Sequence, residues 1–391
     1  MKKFTSILLL ALLAALLGGL VGAASAVFLH FIEWGQETLW EVLTPNLPLQ
    51  TLLVATLGGL LVGLCQRYLG DFPKGITEAV EAIQKNGRLE YNHLHKGIIT
   101  ASASLIFGAS LGPEAAIIDL IGGLSTWVGD SIRSLRQRFD LPRPAQAKNR
   151  LAKFLHSWPN LIALVVGTLA FGRLLNGLYG GGFLNPGQPF QWIDLLWSIP
   201  LGLVGAAGGW LYLTLQTQTR NWLAPLQHRP VLRGILGGFA LGLVALFLPM
   251  VLFSGQHLLQ PAYDSYLQLG FWILLLTALA RLLLTNLMLA SGWKGGQFLP
   301  MMFGGAALGL SVSALFPVVP APVAALAAMG ALVAVVLPKP IIALVLMTLM
   351  FPIQYVGVSV VSVGMVMLGQ KLWTQRGEFA LKELESSNAS D

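Results

Sequence analysis

Charge is what this 391-residue chain has least of. Asp, Glu, Lys and Arg together make up 10% of it, while 55% is hydrophobic. A soluble domain carries about 25% charged residues, so this chain cannot cover a water-facing surface. The same numbers exclude intrinsic disorder. A single cysteine, Cys65, excludes an internal disulfide and a thiolate metal centre. The six histidines fall in no acid–His cluster with metal-ligand spacing, and His93 and His95 read as interfacial side chains. No Ser–His, paired-Asp or HExxH pattern supports an intramembrane hydrolase, so no enzyme, metal or cofactor is expected.

What remains is apolar sequence with many helix punctuators, 44 Gly and 21 Pro. A helical span takes about 20 apolar residues, and the chain holds enough for an all-α polytopic membrane protein. The first apolar run, from Ile7 to Phe31, follows Lys2 and Lys3. It is longer than the core of a signal peptide and reads as a membrane helix with a cytoplasmic N-terminus. Further apolar segments fall near 51–69, 97–111, 115–129, 159–180, 191–216, 231–253, 271–291, 297–316, 323–337 and 340–370. Residues 130–153 read as a basic loop, which the positive-inside rule places in the cytoplasm. The net charge of +7 is explained that way, and no basic, aromatic-laced domain suggests nucleic acid.

Several of these segments are too short to span. The pair 97–111 and 115–129 is interrupted at Gly112-Pro113, and the pair 271–291 and 297–316 at Gly292, Gly295 and Gly296. Short, Gly/Pro-broken segments in corresponding places are the signature of a transporter built from repeats, with a midplane site between them. In Leu111-Gly112-Pro113-Glu114-Ala115-Ala116, Pro113 starts a helix whose unpaired N–H groups and positive dipole end suit an anion. Glu114 at that start can fill the anion site itself and vacate it on protonation; the alternative is a capping acid in a buried turn. In Gly292-Trp293-Lys294-Gly295-Gly296-Gln297-Phe298-Leu299-Pro300 the N–H groups of Gln297 and Phe298 form a second such site. Gly304-Gly305 follows this break as Gly122-Gly123 follows the first, a faint internal repeat.

These residues carry a resemblance. Ala280-Arg281 through Thr285 to Gly295-Gly296-Gln297-Phe298-Leu299-Pro300 is similar to the basic helix and GGxFxP motif of the CLC chloride channels and chloride/proton antiporters. Leu111-Gly112-Pro113-Glu114 resembles that family's glutamate motif, and Met329-Gly330-Ala331 through Pro338-Lys339-Pro340 a later family segment. The resemblance implies inverted-topology halves, here 1–216 and 217–370, a short cytoplasmic tail 371–391, and a homodimer in a bacterial-type inner membrane. It implies chloride or another small anion as cargo. Glu114 is the implied gate and proton acceptor. Lys74, Gly75, Gly112, Pro113, Ala115, Gly296, Gln297 and Phe298 line the implied anion path. Arg281 raises the local potential, or else forms an ion pair within the bundle, and Lys294 steers anions by its field.

The sequence also departs from the family. Lys74, in Pro73-Lys74-Gly75-Ile76-Thr77-Glu78, stands where the family has an anion-contacting Ser; it either faces the anion or snorkels to the interface. The central Tyr has no clear equivalent after the last span, where Phe379 is the nearest aromatic beyond Trp373. Tyr355 falls too early and reads as packing. No Asp or Glu lies between Asp140 and Asp194, so the inner proton-transfer acid is missing, and helices expected near 150–160 are shortened. Proton-coupled exchange and a passive chloride pathway therefore both fit, with exchange favoured by the retained Glu114.

Overall fold

In the computed structural model, the described residues are 2–43, 49–75, 89–138 and 184–388, with positions 78, 85 and 166. The apolar segment near 159–180, apart from position 166, and the shortened region near 150–160 lie outside them. Twelve α-helices are described: α1 (Lys2–Glu37), α2 (Gln50–Leu69), α3 (Leu94–Ile106), α4 (Glu114–Arg138), α5 (Asp194–Leu223), α6 (Pro230–Ala245), α7 (Leu259–Asp264), α8 (Tyr266–Ala290), α9 (Phe298–Leu315), α10 (Ala321–Val336), α11 (Pro340–Met350) and α12 (Val356–Asn388). A π-helical turn, Thr38–Leu43, extends α1. Among the described residues, six helices are long and apolar enough to cross a membrane, while α6, α10 and α11 are shorter.

Three boundaries differ from the sequence reading. The basic segment begins as helix, because α4 continues to Arg138. The apolar stretch 340–370 is two helices, broken at Phe351-Pro352, since Pro cannot continue the ladder. The expected tail is helical too, as α12 runs on to Asn388.

Glycines let the helices pack backbone to backbone. On α2 and α6, an added Cβ at Gly63 would lie 2.5 Å from Val231 Cα, and one at Gly242 would lie 2.6 Å from Leu52 Cα. On α9, one at Gly305 would lie 2.6 Å from Met329 Cα of α10. Lipid tails are as apolar as Leu, so such close contact is what holds membrane helices together. The outward faces are apolar in turn, as with Leu53, Leu57 and Leu61 along α2.

The buried side chains form two cores. One joins α5 and α7–α12; the other joins α1–α4 with α6. Helix α8 belongs to both, Ala278 and Leu282 to the first and Leu284 and Met288 to the second. The stretches 1–216 and 217–370 are therefore interleaved in space: α5 packs with the later helices and α6 with α2.

Candidate anion site

The two broken segments meet. Gly112 and Gly296 pair as an isolated antiparallel bridge, with N···O distances of 2.7 and 2.6 Å. The starts of α4 and α9 thus face a common point, and each brings unpaired N–H groups and a positive dipole end. The pairing also limits what these two glycines can contribute. The N–H groups of Gly112 and Gly296 are spent on each other, so these residues shape the site and do not donate to an anion. An added Cβ on either would collide with the Glu114 carboxylate, which rests directly on the glycine pair.

Glu114 opens α4, following Pro113, whose carbonyl accepts the Ile117 N–H at 2.9 Å. Its carboxylate reaches across to α9, where Oε1 accepts the Leu299 N–H at 2.6 Å, and it also lies against its own backbone N–H. Among the described residues, Oε2 is buried with no partner at hydrogen-bond geometry. The acid therefore spans the gap between the two helix starts. Leu299 is a donor that sequence reasoning missed; the Gly-Gly-x-Phe-x-Pro pattern drew attention to the two positions before it. Among the described residues, the N–H groups of Gln297 and Phe298 donate to no protein acceptor, as an anion-receiving turn requires. Ala115 is buried in the first turn of α4.

The α9 turn is firmly held. Gly292 adopts φ 93°, a left-handed conformation that suits glycine at a helix end. Its carbonyl accepts from Gln66, whose other amide atom takes Arg233 Nη2 at 2.8 Å. The buried Trp293 donates from Nε1 to Gly234 O at 3.1 Å. Lys294 N donates to Ser104 Oγ at 2.8 Å, and Lys294 Nζ pairs with Asp71 Oδ1 at 2.7 Å. Lys294 is therefore a paired cation, not a free one.

Arg281 is fully buried and, among the described residues, has no acid partner, which corrects the ion-pair alternative. Its guanidinium donates to Phe253 O at 3.0 Å, Leu252 O at 3.0 Å and Met250 O, and lies 4.5 Å from the Phe303 ring centroid. It ties the 250–253 loop to α8. Lys74 and Gly75 are exposed, and no hydrogen bond joins either to Glu114. Asp119 packs beside Gly97 and Pro73, the residue before Lys74. Tyr355 is buried and donates to Gln188 O at 2.9 Å, a packing role as expected. Among the described residues no group of His, Cys, Asp and Glu is placed to hold a metal.

A cavity of about 690 Å³ opens beside the site and reaches Leu111 and Pro113. Its walls include Glu33, Glu37 and Glu41, one face of α1 and its π-helical extension, and His257, whose Nε2 lies 3.4 Å from Glu33. Asp71 and Lys294 are not among its walls. Farther along α4, Gly122 packs on Leu89 and Gly123 on Leu94 at the start of α3.

A sequence profile described as "Voltage gated chloride channel" matches residues 150–367, more than half of the chain. The chain belongs to the CLC chloride channel family. This CLC chain is similar to the voltage-gated ClC-type chloride channel ClcB of Citrobacter koseri, at 27% identity over 341 residues, 76% of this chain and 79% of the relative. It is 25% identical over 338 residues to ClcB of Escherichia coli, with the same coverage. Solved structures share its fold. A slow cyanobacterial Cl⁻/H⁺ antiporter aligns over 94% of this chain and 99% of its own, with TM-score 0.68 and 20% identity. A CLC-type fluoride/proton antiporter aligns over 93% and 95%, with TM-score 0.64 and 18% identity. This is an integral membrane protein of CLC fold. The matched stretch includes Arg281, Gln297 and Phe298 but not Glu114. The role of the glutamate therefore rests on where its carboxylate sits.

Proposed function

We propose that this protein exchanges chloride or another small anion for protons across a membrane, with Glu114 as gate and proton acceptor. The observation that carries the reading is the seat of the Glu114 carboxylate. It takes an N–H of the α9 start, beside the unpaired N–H groups of Gln297 and Phe298. An anion arriving there competes with a side chain of the same charge. Protonation removes that charge, so anion occupancy rises as pH falls.

The orientation follows from charge. Helix α4 leads from the site toward the basic segment 130–153, which belongs in the cytoplasm by the positive-inside rule. The cavity with Glu33, Glu37 and Glu41 then faces outward. Cytoplasmic termini, a bacterial inner membrane, a homodimer, repeat halves 1–216 and 217–370, and the absence of enzymatic activity complete the reading. The relatives named as chloride channels and antiporters support it.

The test is chloride efflux from proteoliposomes with simultaneous pH recording, for wild type and Glu114→Gln. Exchange is supported if a chloride gradient drives protons uphill and the variant loses only the proton movement. The missing acid between Asp140 and Asp194 favours a second reading, a passive chloride pathway. Chloride flux without proton movement in either protein would establish it. Equal uptake of chloride and large organic solutes would sink both.

A further inference from the structure

The family's two anion-facing hydroxyls are missing here: Lys74 replaces the Ser and is exposed, and no Tyr follows the last span. The structure offers a neutral polar side chain in their place. Gln297 sits at the N-cap of α9, between the Gly112–Gly296 bridge and the unpaired Phe298 N–H. Its amide oxygen is occupied, since Tyr212 Oη on α5 donates to Gln297 Oε1 at 2.8 Å. Tyr212 is itself enclosed by the core. It is 0% exposed, and its carbonyl accepts from Asn286 Nδ2 at 3.1 Å. Asn286 is held in turn on Leu282 O at 3.0 Å.

An amide has one acceptor end and one donor end. With Oε1 fixed on Tyr212, Nε2 occupies the other edge of the same planar group, turned away from Tyr212. Among the described residues Nε2 has no protein acceptor, and it is not sealed from solvent-sized space. We propose that Gln297 Nε2 is a side-chain donor to the transported anion, and that Tyr212 is a positioning residue that keeps the amide in this orientation. The oxygen that would repel an anion is sequestered, and the turn presents donors only: the N–H groups of Gln297 and Phe298 and the Nε2 group. The inference rests on the anion-transport reading and names the group that takes over from the missing hydroxyls.

The experiment is calorimetric chloride titration of purified wild type, Gln297→Leu, Gln297→Glu, Tyr212→Phe and the Tyr212→Phe/Gln297→Leu double variant. Gln297→Leu is expected to weaken chloride binding by about tenfold, the size of one hydrogen bond to an anion. Gln297→Glu keeps an acceptor for Tyr212 but puts an oxygen where the donor was, so it is expected to weaken binding more than Gln297→Leu does. Tyr212→Phe frees the amide to turn over and is expected to cost a few-fold. The double variant should bind no more weakly than Gln297→Leu alone, because Tyr212 acts only through Gln297. Chloride affinity unchanged in both Gln297 variants overturns the proposal, as does a Tyr212 effect that adds in full to that of Gln297→Leu. A wild type that binds neither chloride nor fluoride, bromide or nitrate overturns the transport reading itself, whereas wild-type binding with indifferent variants overturns only this inference.

Discussion

The two broken-helix starts meet at one point but are built differently. The α9 turn is held by side chains from several other elements: Gln66 on α2, Ser104 on α3, Tyr212 on α5, and Trp293 reaching to Gly234 on α6. The apolar window of α9 is 83% buried, against 33% for α2. The α4 start offers one side chain, Glu114, whose carboxylate takes one N–H from α9, that of Leu299, and lies against its own backbone N–H. On the proposed function, the contrast is that of a frame and a gate: the donors of the α9 turn give an anion a defined place, and Glu114 is the part that leaves it.

That contrast can be broken from either side. The largest effect is expected in the frame. Arg281→Met removes the donors to three buried carbonyls and should cost about 3–5 kcal/mol, because buried acceptors are left unpaired. Thermal unfolding in detergent measures this; a loss under about 1 kcal/mol would mean that the 250–253 loop holds itself and Arg281 is not the clamp.

A smaller cost to the fold but a sharper one to the gate is expected for Gly296→Ala. Its methyl would occupy the seat of the Glu114 carboxylate and force it off Leu299, forfeiting about 1.5–3 kcal/mol of charge-assisted hydrogen bond. Chloride efflux should persist while the accompanying proton movement falls toward the Glu114→Gln level. Unchanged coupling would show that the seat is dispensable.

The smallest effect is expected for Asp71→Asn. Asp71 is largely exposed, so its pair with Lys294 should contribute under about 1 kcal/mol to stability. Releasing the Lys294 charge should raise the initial rate of chloride entry from that side at low ionic strength, and the gain should vanish in high salt. A gain that survives high salt would point to a change in the turn itself and not in its field.

Much of this arrangement was legible in the residues, and the exceptions have identifiable causes. Gly112-Pro113-Glu114 and Gly295-Gly296-Gln297-Phe298 announced two helix starts because Gly and Pro act on the backbone locally. Nothing local distinguished Tyr212, in the run Gly208-Gly209-Trp210-Leu211-Tyr212, from a packing aromatic. Its hydroxyl matters only because α5 passes behind α9, 85 residues along the chain. Arg281 was read as a field or an ion pair. Its carbonyl partners carry no sequence signal, since every residue has a carbonyl.

By itself, then, the sequence determined the solvent, the helices and the two breaks. Those follow from transfer free energy and backbone stereochemistry, which act over a few residues. Only the tertiary structure decided which groups meet at the breaks. The Gly112–Gly296 pair consumed two backbone donors, Leu299 supplied one the motifs had not marked, and Asp71 paired with Lys294. Each of these depends on distance between segments far apart in the chain, and that distance is set by helix packing.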